Sequence, residues 1–292
     1  MVKQEFFMKK VILSAFLLVM ATCILHSKSN VVTDSLYSSI LECYRPYNIC
    51  LPDSYQENSS KVYPVMYLLH GAGGTFESWQ KLAFVDDVLD YLVTEGNSCE
   101  MIIVMPQACA DTEKAQRGYF NYPQWRYEDF FFQEFIPEVE KKYRIAAQKE
   151  SRAIAGLSMG GGGAIAYAEK HPELFCAVYA MSALVSNPKY RVITPDMEVK
   201  RKAWLTTVIE NDCTEFISKA PAEIKEQLKD IAWFIDCGDD DHLLEVNLEF
   251  AQELRKAGIP FELRVREGGH KWEYWRSALR ICLPYITRQF GR

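Results

Sequence analysis

Short apolar runs of six or seven residues recur along the 292-residue chain, with helical patterns filling the gaps. The runs are YNICLP (47–52), VMYLLH (65–70), MIIVMP (101–106), RAIAGL (152–157), CAVYAMS (176–182), IAWFID (231–236) and FELRVRE (261–267). Runs of that length are too short for buried helices and suit strands covered on both faces. Apolar positions at helical spacing fall at about 77–95, 127–143, 160–170, 242–257 and 272–287. Strand and helix in alternation predict an α/β fold, a mostly parallel central sheet with helices on both faces. LYSSILECYR (36–45) is expected to add an antiparallel edge strand. The stretch 185–230 breaks the rhythm and reads as a partly helical, charge-rich insertion over one end of the sheet. Residues 28–292 read as a single domain, with no repeat and no low-complexity linker.

The first residues have a different character. Lys9-Lys10 precede the apolar VILSAFLLVMATCIL (11–25), and the polar HSKSN follows. A positive start and a short apolar stretch read as a secretory signal peptide over 1–27, with Met8 a more natural start than Met1. The stretch is short for a spanning helix, which needs about 20 apolar residues. Cys23 offers a second reading, lipid anchoring, which would place the protein at a membrane; MATC followed by Ile24-Leu25 is a poor match to a lipoprotein signal. The expected location is therefore secreted or periplasmic.

Export permits disulfides, and nine cysteines are present. Cys176 and Cys237 lie in strand-like runs and read as buried thiols. No CxxC pair and no HExxH occurs, so no metal site has a motif behind it. The chain carries 33 basic and 39 acidic residues, a net charge of −6, without a long basic run. Nucleic acid is therefore not an expected partner.

GLSMGGGG (156–163) joins the run RAIAGL to a helical pattern. A P-loop needs Gly-Lys-Ser/Thr, and no lysine follows the glycine run until Lys170. A dinucleotide fingerprint needs an acidic residue about 20 positions on, where SALVSNPKY stands instead. G-x-S-x-G between a strand and a helix is the nucleophile elbow, a tight turn that lifts a serine hydroxyl above the sheet edge. Ser158 is the candidate nucleophile, with Gly156 and Gly160 making room for the turn. Gly162 and Gly163 have no assigned task beyond close packing, so Gly162→Ala is expected to be far better tolerated than Gly160→Val.

A serine nucleophile needs a base. In the α/β-hydrolase order Ser, acid, His, His270 in EGGHKWEYW is the candidate, directly after the last run. His171 at a helix end and His242 beside an aspartate run are weaker choices. The acid comes from CGDDDH, where Asp239, Asp240 and Asp241 all qualify. His70-Gly71-Ala72-Gly73-Gly74 matches an oxyanion loop of the H-G-G-G type. Ala72 is the best-placed backbone donor there, Met159 N–H is the second, and His70 is an anchor for the loop.

Together these pieces resemble the esterase D-like family of α/β-hydrolases, and most closely the feruloyl and acetyl-xylan esterases of carbohydrate esterase family one. YPVMYLLHGAGG, IAGLSMGG, IDCGDDDHLLEVN and GGHKWEYWR carry the likeness, over about Tyr47 to Trp275. The family pattern D-x-G-x-x-D implies Asp241 as the acid. Lys271 departs from the family, which frequently has an aspartate after the histidine. The resemblance implies the α/β-hydrolase fold and a cofactor-free serine esterase acting on an ester-bearing carbohydrate or phenolic substrate. It also implies a cleft rimmed by QRGYFNYPQWRYED and by the 185–230 insertion, where Tyr119, Tyr122 and Trp125 would stack on a ring. Trp272 and Trp275 are expected to pack the last helix. Other readings of the same residues are an S-formylglutathione hydrolase, a siderophore esterase, a mycolyl-type acyltransferase or a non-catalytic carbohydrate-binding relic.

Overall fold

The structure is a computed structural model, and it describes residues 29–108, 118–186, 194, 196–197 and 199–291. The expected leader over 1–27, including Cys23, therefore lies outside the described residues.

The strands are β1 (Asn30–Ser38), β2 (Cys43–Leu51), β3 (Val65–Leu69), β4 (Ile102–Pro106), β5 (Asn121–Tyr122), β6 (Trp125–Arg126), β7 (Arg152–Leu157), β8 (Ala177–Met181), β9 (Ala232–Gly238) and β10 (Phe261–Arg266). The helices, in chain order, are α1 (Ser78–Ala83), α2 (Val85–Thr94), α3 (Tyr127–Phe130), α4 (Ile136–Lys142), α5 (Met159–Lys170), α6 (Val199–Glu210), α7 (Cys213–Lys219), α8 (Ala222–Leu228), α9 (Leu244–Lys256) and α10 (Trp272–Thr287). Eight strands form one sheet in the order β1-β2-β4-β3-β7-β8-β9-β10, and β5 and β6 form a separate small hairpin. β2 pairs antiparallel with both β1 and β4; β4, β3, β7, β8, β9 and β10 run parallel.

Alternate side chains on each central strand serve opposite faces. Val65, Tyr67 and Leu69 of β3 join one apolar cluster with Ile154 and Val178, under α3, α4, α5 and α9. Met66 and Leu68 join the other, with Ala155, Tyr179 and Phe234, under α1, α2 and α10. This two-sided burial is why the runs in the sequence are apolar at nearly every position rather than at alternate ones. β10 is the exception: as an edge strand it leaves Leu263 and Val265 exposed. The fold is that of an α/β-hydrolase.

Three local expectations are corrected. LYSSILECYR is not one strand: β1 ends at Ser38, a turn takes Ser39–Glu42, and β2 begins at Cys43. The Glu134 carboxylate accepts bonds from the hydroxyls of Ser38 and Ser39 and from the N–H of Ile40, which holds the chain in the turn. The helix expected over 77–95 is two, α1 and α2, separated by Phe84 in the left-handed region (φ 53°, ψ 48°). Cys176 is only partly buried, whereas Cys237 is fully so; burial pushes both thiols up to about 12. The seven cysteines among the described residues are free. Between α3 and α4 the helix passes through a π turn, Phe131–Phe135. No helix among the described residues is long and apolar enough to cross a membrane.

Candidate active site

In a parallel sheet, ligands bind beyond the carboxyl ends of the strands, where the strand order reverses. Here the chain fills one side of β3 with β4 and later returns to its other side with β7. The loop after β3 carries His70–Gly74, and the turn after β7 carries Ser158.

Ser158 has φ 52° and ψ −118°, a backbone that a non-glycine residue adopts only when its surroundings impose it. Its N–H donates to Met181 O (2.9 Å), and its carbonyl accepts from Leu184 N (2.9 Å) and Gly162 N (3.0 Å). The turn is thereby clamped between β8, the segment beyond it, and the first turn of α5. Small residues are obligatory where α5 meets the loop after β3. A Cβ on Gly160 would lie 2.5 Å from Leu69 O and 2.6 Å from His70 O. Gly162 is equally constrained, since a Cβ there would lie 2.2 Å from Leu184 O. This corrects the expectation that Gly162 is free to change.

Ser158 Oγ lies 2.9 Å from His270 Nε2, and His270 Nδ1 lies 3.0 and 2.9 Å from the two Asp241 carboxylate oxygens. The structure therefore brings together Ser158, His270 and Asp241 from the loops after β7, β10 and β9. Two other groups hold Asp241: Leu243 N–H donates to Oδ1 (2.9 Å), and Ser182 bonds its carboxylate. Burial alone would raise the Asp241 pKa, but the bonds from His270, Leu243 and Ser182 outweigh it and hold the carboxyl below its ordinary value. Ser182 receives Trp275 Nε1–H (3.1 Å), and the Trp275 ring meets His270 edge-on with centroids 4.9 Å apart. Trp275 thus does more than pack α10.

The neighbouring aspartates have other tasks. Asp239 accepts the Gly268 N–H at 2.9 Å, tying the β9 loop to the loop that carries His270. The two loops touch because Gly238 has no side chain; a Cβ there would lie 2.0 Å from Gly268 O. Asp236, fully buried, accepts from Tyr179 OH (2.5 Å) and Tyr274 OH and pairs with Arg266 (3.2 Å).

His70 is a loop anchor, as expected. Its Nδ1–H donates to Gly71 O (2.8 Å), and its Nε2 accepts from Ala108 N–H (3.1 Å), so the ring is neutral. Burial pushes its pKa down to about 4, against a smaller upward pull from the Gly71 bond. Met159 is the first residue of α5, so its N–H has no carbonyl one turn earlier to bond. Met159 and Ala72 both line an apolar pocket, together with Tyr119, Phe120, Tyr122, Leu184, Val185 and Ser186 on one side and Thr207, Val208 and Asn211 of α6 and its end on the other. Of the aromatics expected to stack on substrate, Tyr122 borders this pocket and is partly exposed. Tyr119 borders it too but is 1% exposed, and its OH donates to His70 O (2.9 Å). Trp125 is not among the lining residues. It is 3% exposed, donates to Gly118 O (2.9 Å) and stacks on Tyr127, so it packs the fold. The 185–230 insertion, expected to rim a cleft, supplies Val185, Ser186, Thr207, Val208 and Asn211 to this pocket, although none of them was singled out in the sequence; Leu184 lies just before it.

The Esterase family, described as "Putative esterase", matches residues 38–286. The chain belongs to that family. A solved ferulic acid esterase is 50% identical, with a TM-score of 0.84 over 90% of this chain and all of that one. The endo-1,4-beta-xylanase/feruloyl esterase of Xylanibacter ruminicola is 27% identical over 80% of this chain and 28% of its own length. The acetyl esterase of Caldicellulosiruptor saccharolyticus is 26% identical over 78% of this chain and 85% of its own. The chain spans about half (52%) of the length of an esterase of Mycobacterium tuberculosis that it matches at 28% identity. Within the esterase family, the groups gathered at the ends of β3, β7, β9 and β10 suit nucleophilic attack on a carbonyl.

Proposed function

We propose that the protein is a secreted serine hydrolase of carboxylic esters, acting on feruloyl or acetyl esters of plant polysaccharides. The observation that carries this reading is the continuous chain of hydrogen bonds from Ser158 Oγ through His270 to Asp241. Ser158 Oγ attacks the ester carbonyl as His270 Nε2 takes its proton. Asp241, ionised and buried, holds Nδ1–H and stabilises the imidazolium that forms. The N–H groups of Ala72 and Met159 receive the charge that develops on the carbonyl oxygen. His270 then gives the proton to the leaving alcohol, an acyl-Ser158 ester remains, and water activated by the same imidazole releases the acid. No cofactor takes part.

The kinship with a solved ferulic acid esterase and with acetyl and feruloyl esterases supports the substrate class. The apolar pocket bordered by Ala72 and Met159 suits the acyl side of such an ester. Lys9-Lys10 and the apolar stretch 11–25 support export.

The test is a hydrolysis panel of methyl ferulate, acetylated xylan and formylglutathione. Methyl ferulate or acetylated xylan is expected to be cleaved fastest; preference for formylglutathione refutes the substrate assignment. Ser158→Ala is expected to lose activity by about 10³-fold or more and to stop reacting with a fluorophosphonate. Retention of full activity by that variant refutes the mechanism.

A further inference from the structure

His242 plays no part in the chemistry above, yet it stands against the hydrogen-bonded chain. Its ring packs edge-on against that of His270, centroids 4.5 Å apart. Its Nδ1 lies 3.7 Å from Asp241 Oδ1, on a side chain that is 69% exposed. One ligand-capable atom from each of Asp241, His242 and His270 can be chosen so that all lie within 4.8 Å of one another.

We propose that Asp241, His242 and His270 form an inhibitory site for a zinc-like transition-metal dication. The proposal rests on the reading of His270 as the base. Zinc holds imidazole nitrogen and carboxylate oxygen at about 2.0–2.2 Å in a tetrahedron, which places ligand atoms roughly 3.4 Å apart. The Nδ1-to-carboxylate separations of 2.9 and 3.0 Å for His270 and 3.7 Å for His242 bracket that value. Two imidazoles and one carboxylate suit zinc or copper better than calcium or magnesium, which take oxygen ligands. Asp241 supplies the anionic ligand, already oriented by Leu243 N–H and Ser182, the kind of outer support that metal ligands carry. The ion enters from the exposed His242 side, where water completes its coordination.

The step balances simply. The proton on His270 Nδ1 passes through solvent to Nε2 as the metal–nitrogen bond forms, so the imidazole stays neutral and no group is oxidised or reduced. With the metal on Nδ1 and the proton on Nε2, the ring has no free lone pair to take the Ser158 proton, so Ser158 loses its base.

The test follows p-nitrophenyl acetate hydrolysis across a zinc titration for the wild type and for His242→Gln. The wild type is expected to lose activity progressively and to recover it with EDTA. His242→Gln is expected to keep its zinc-free rate within about twofold and to need about tenfold more zinc for the same loss. A second readout does not depend on turnover: cobalt added to Ser158→Ala should give a visible absorption that saturates at one ion per chain. Adding His242→Gln to that protein should abolish the absorption. Equal zinc sensitivity of wild type and His242→Gln, or a wild type indifferent to zinc, overturns the proposal. An inactive wild type that still binds cobalt through His242 would instead count against the esterase reading alone.

Discussion

Gly162 sits in the middle of a glycine run whose last members look dispensable from the sequence, and replacing it by alanine probes what the run is for. In a helix interior, Gly→Ala ordinarily gains about 1 kcal/mol. Here the added Cβ would lie 2.2 Å from Leu184 O and 2.9 Å from Leu184 C, both backbone atoms. Ordinary contact begins near 3.4 Å, so helix and segment must separate by more than 1 Å. The segment is not free to retreat. Leu184 N bonds Ser158 O (2.9 Å), Ala183 N donates to Asn247 Oδ1 (3.2 Å), and Asn247 Nδ2 returns a bond to Ala183 O (2.9 Å). Overpacking of this kind costs about 1–3 kcal/mol, and a bond lost from the clamp costs about 1 more.

After the helix gain, the expected net loss for Gly162→Ala is about 2 kcal/mol. At an m-value near 3 kcal/mol/M, that is a fall of roughly 0.7 M in the urea midpoint. Because the displaced Leu184 N–H holds the Ser158 carbonyl, kcat for p-nitrophenyl acetate is expected to fall about tenfold, with a smaller change in KM. Gly160→Val, which drives a side chain into Leu69 O and His70 O, is expected to be similarly damaging. Urea unfolding followed by tryptophan fluorescence and steady-state kinetics check both variants. A Gly162→Ala protein as stable as the wild type with unchanged kcat would refute the claim that residues 183–184 are held rigidly against α5.

Two further perturbations follow from buried charges and a buried imidazole. His70 is neutral in the fold with its pKa at about 4, against an ordinary imidazole value of 6.5. The unfolded chain therefore binds a proton first as pH falls, and the stability this group contributes is complete above 6.5 and lost by about 4. The loss amounts to about 3 kcal/mol. Urea midpoints measured from pH 7 to pH 4 should show this slope in the wild type and a shallower one in His70→Gln; parallel slopes contradict it. Arg152 makes two 2.7 Å bonds to the buried Glu140 carboxylate and one of 2.9 Å to Leu174 O. Arg152→Ala strands that carboxylate, so a loss of about 3–5 kcal/mol is expected in the same unfolding assay; a loss below 1 kcal/mol would show that Glu140 finds water or protonates at little cost.

The parts of the fold that were legible in the sequence are those governed by burial. β3, β4, β7, β8 and β9 are sandwiched between two helix layers, so nearly every residue is apolar, Arg152 and Asp236 being paired exceptions, and each strand stands out as a run. The turn at Ser158 was legible because its strand, its small residues and its helix all lie within one short stretch. What escaped was set by backbone geometry or by distant meetings. The left-handed Phe84 breaks a continuous helical pattern without a glycine or proline to announce it. The π turn at Phe131–Phe135 shifts backbone bonds and leaves little trace in side-chain spacing. The pocket joins Ala72, Tyr122, Leu184 and Thr207, which share no local pattern. Gly238 and Gly268 meet at a distance that only a missing Cβ permits, and nothing within either loop marks the pairing.

The strand order explains why one imidazole can connect a serine and a carboxylate that the chain separates so widely. β7 and β9 flank β8, so the Ser158 and Asp241 loops leave the sheet two strand spacings apart, about 9–10 Å. That gap is too wide for a direct bond, and His270, arriving from β10, spans it with a hydrogen bond at each ring nitrogen. The end of the intervening β8 then cannot be idle. Met181 O takes the Ser158 N–H, and Ser182, at φ 46°, bonds the Asp241 carboxylate and receives Trp275. Ser182 N–H in turn donates to Asp236 O at 2.7 Å, which fixes β8 to β9 at the level of the carboxylate. The serine and the acid are thus registered to each other through the strand between them, and the imidazole spans a gap whose width the sheet has already set.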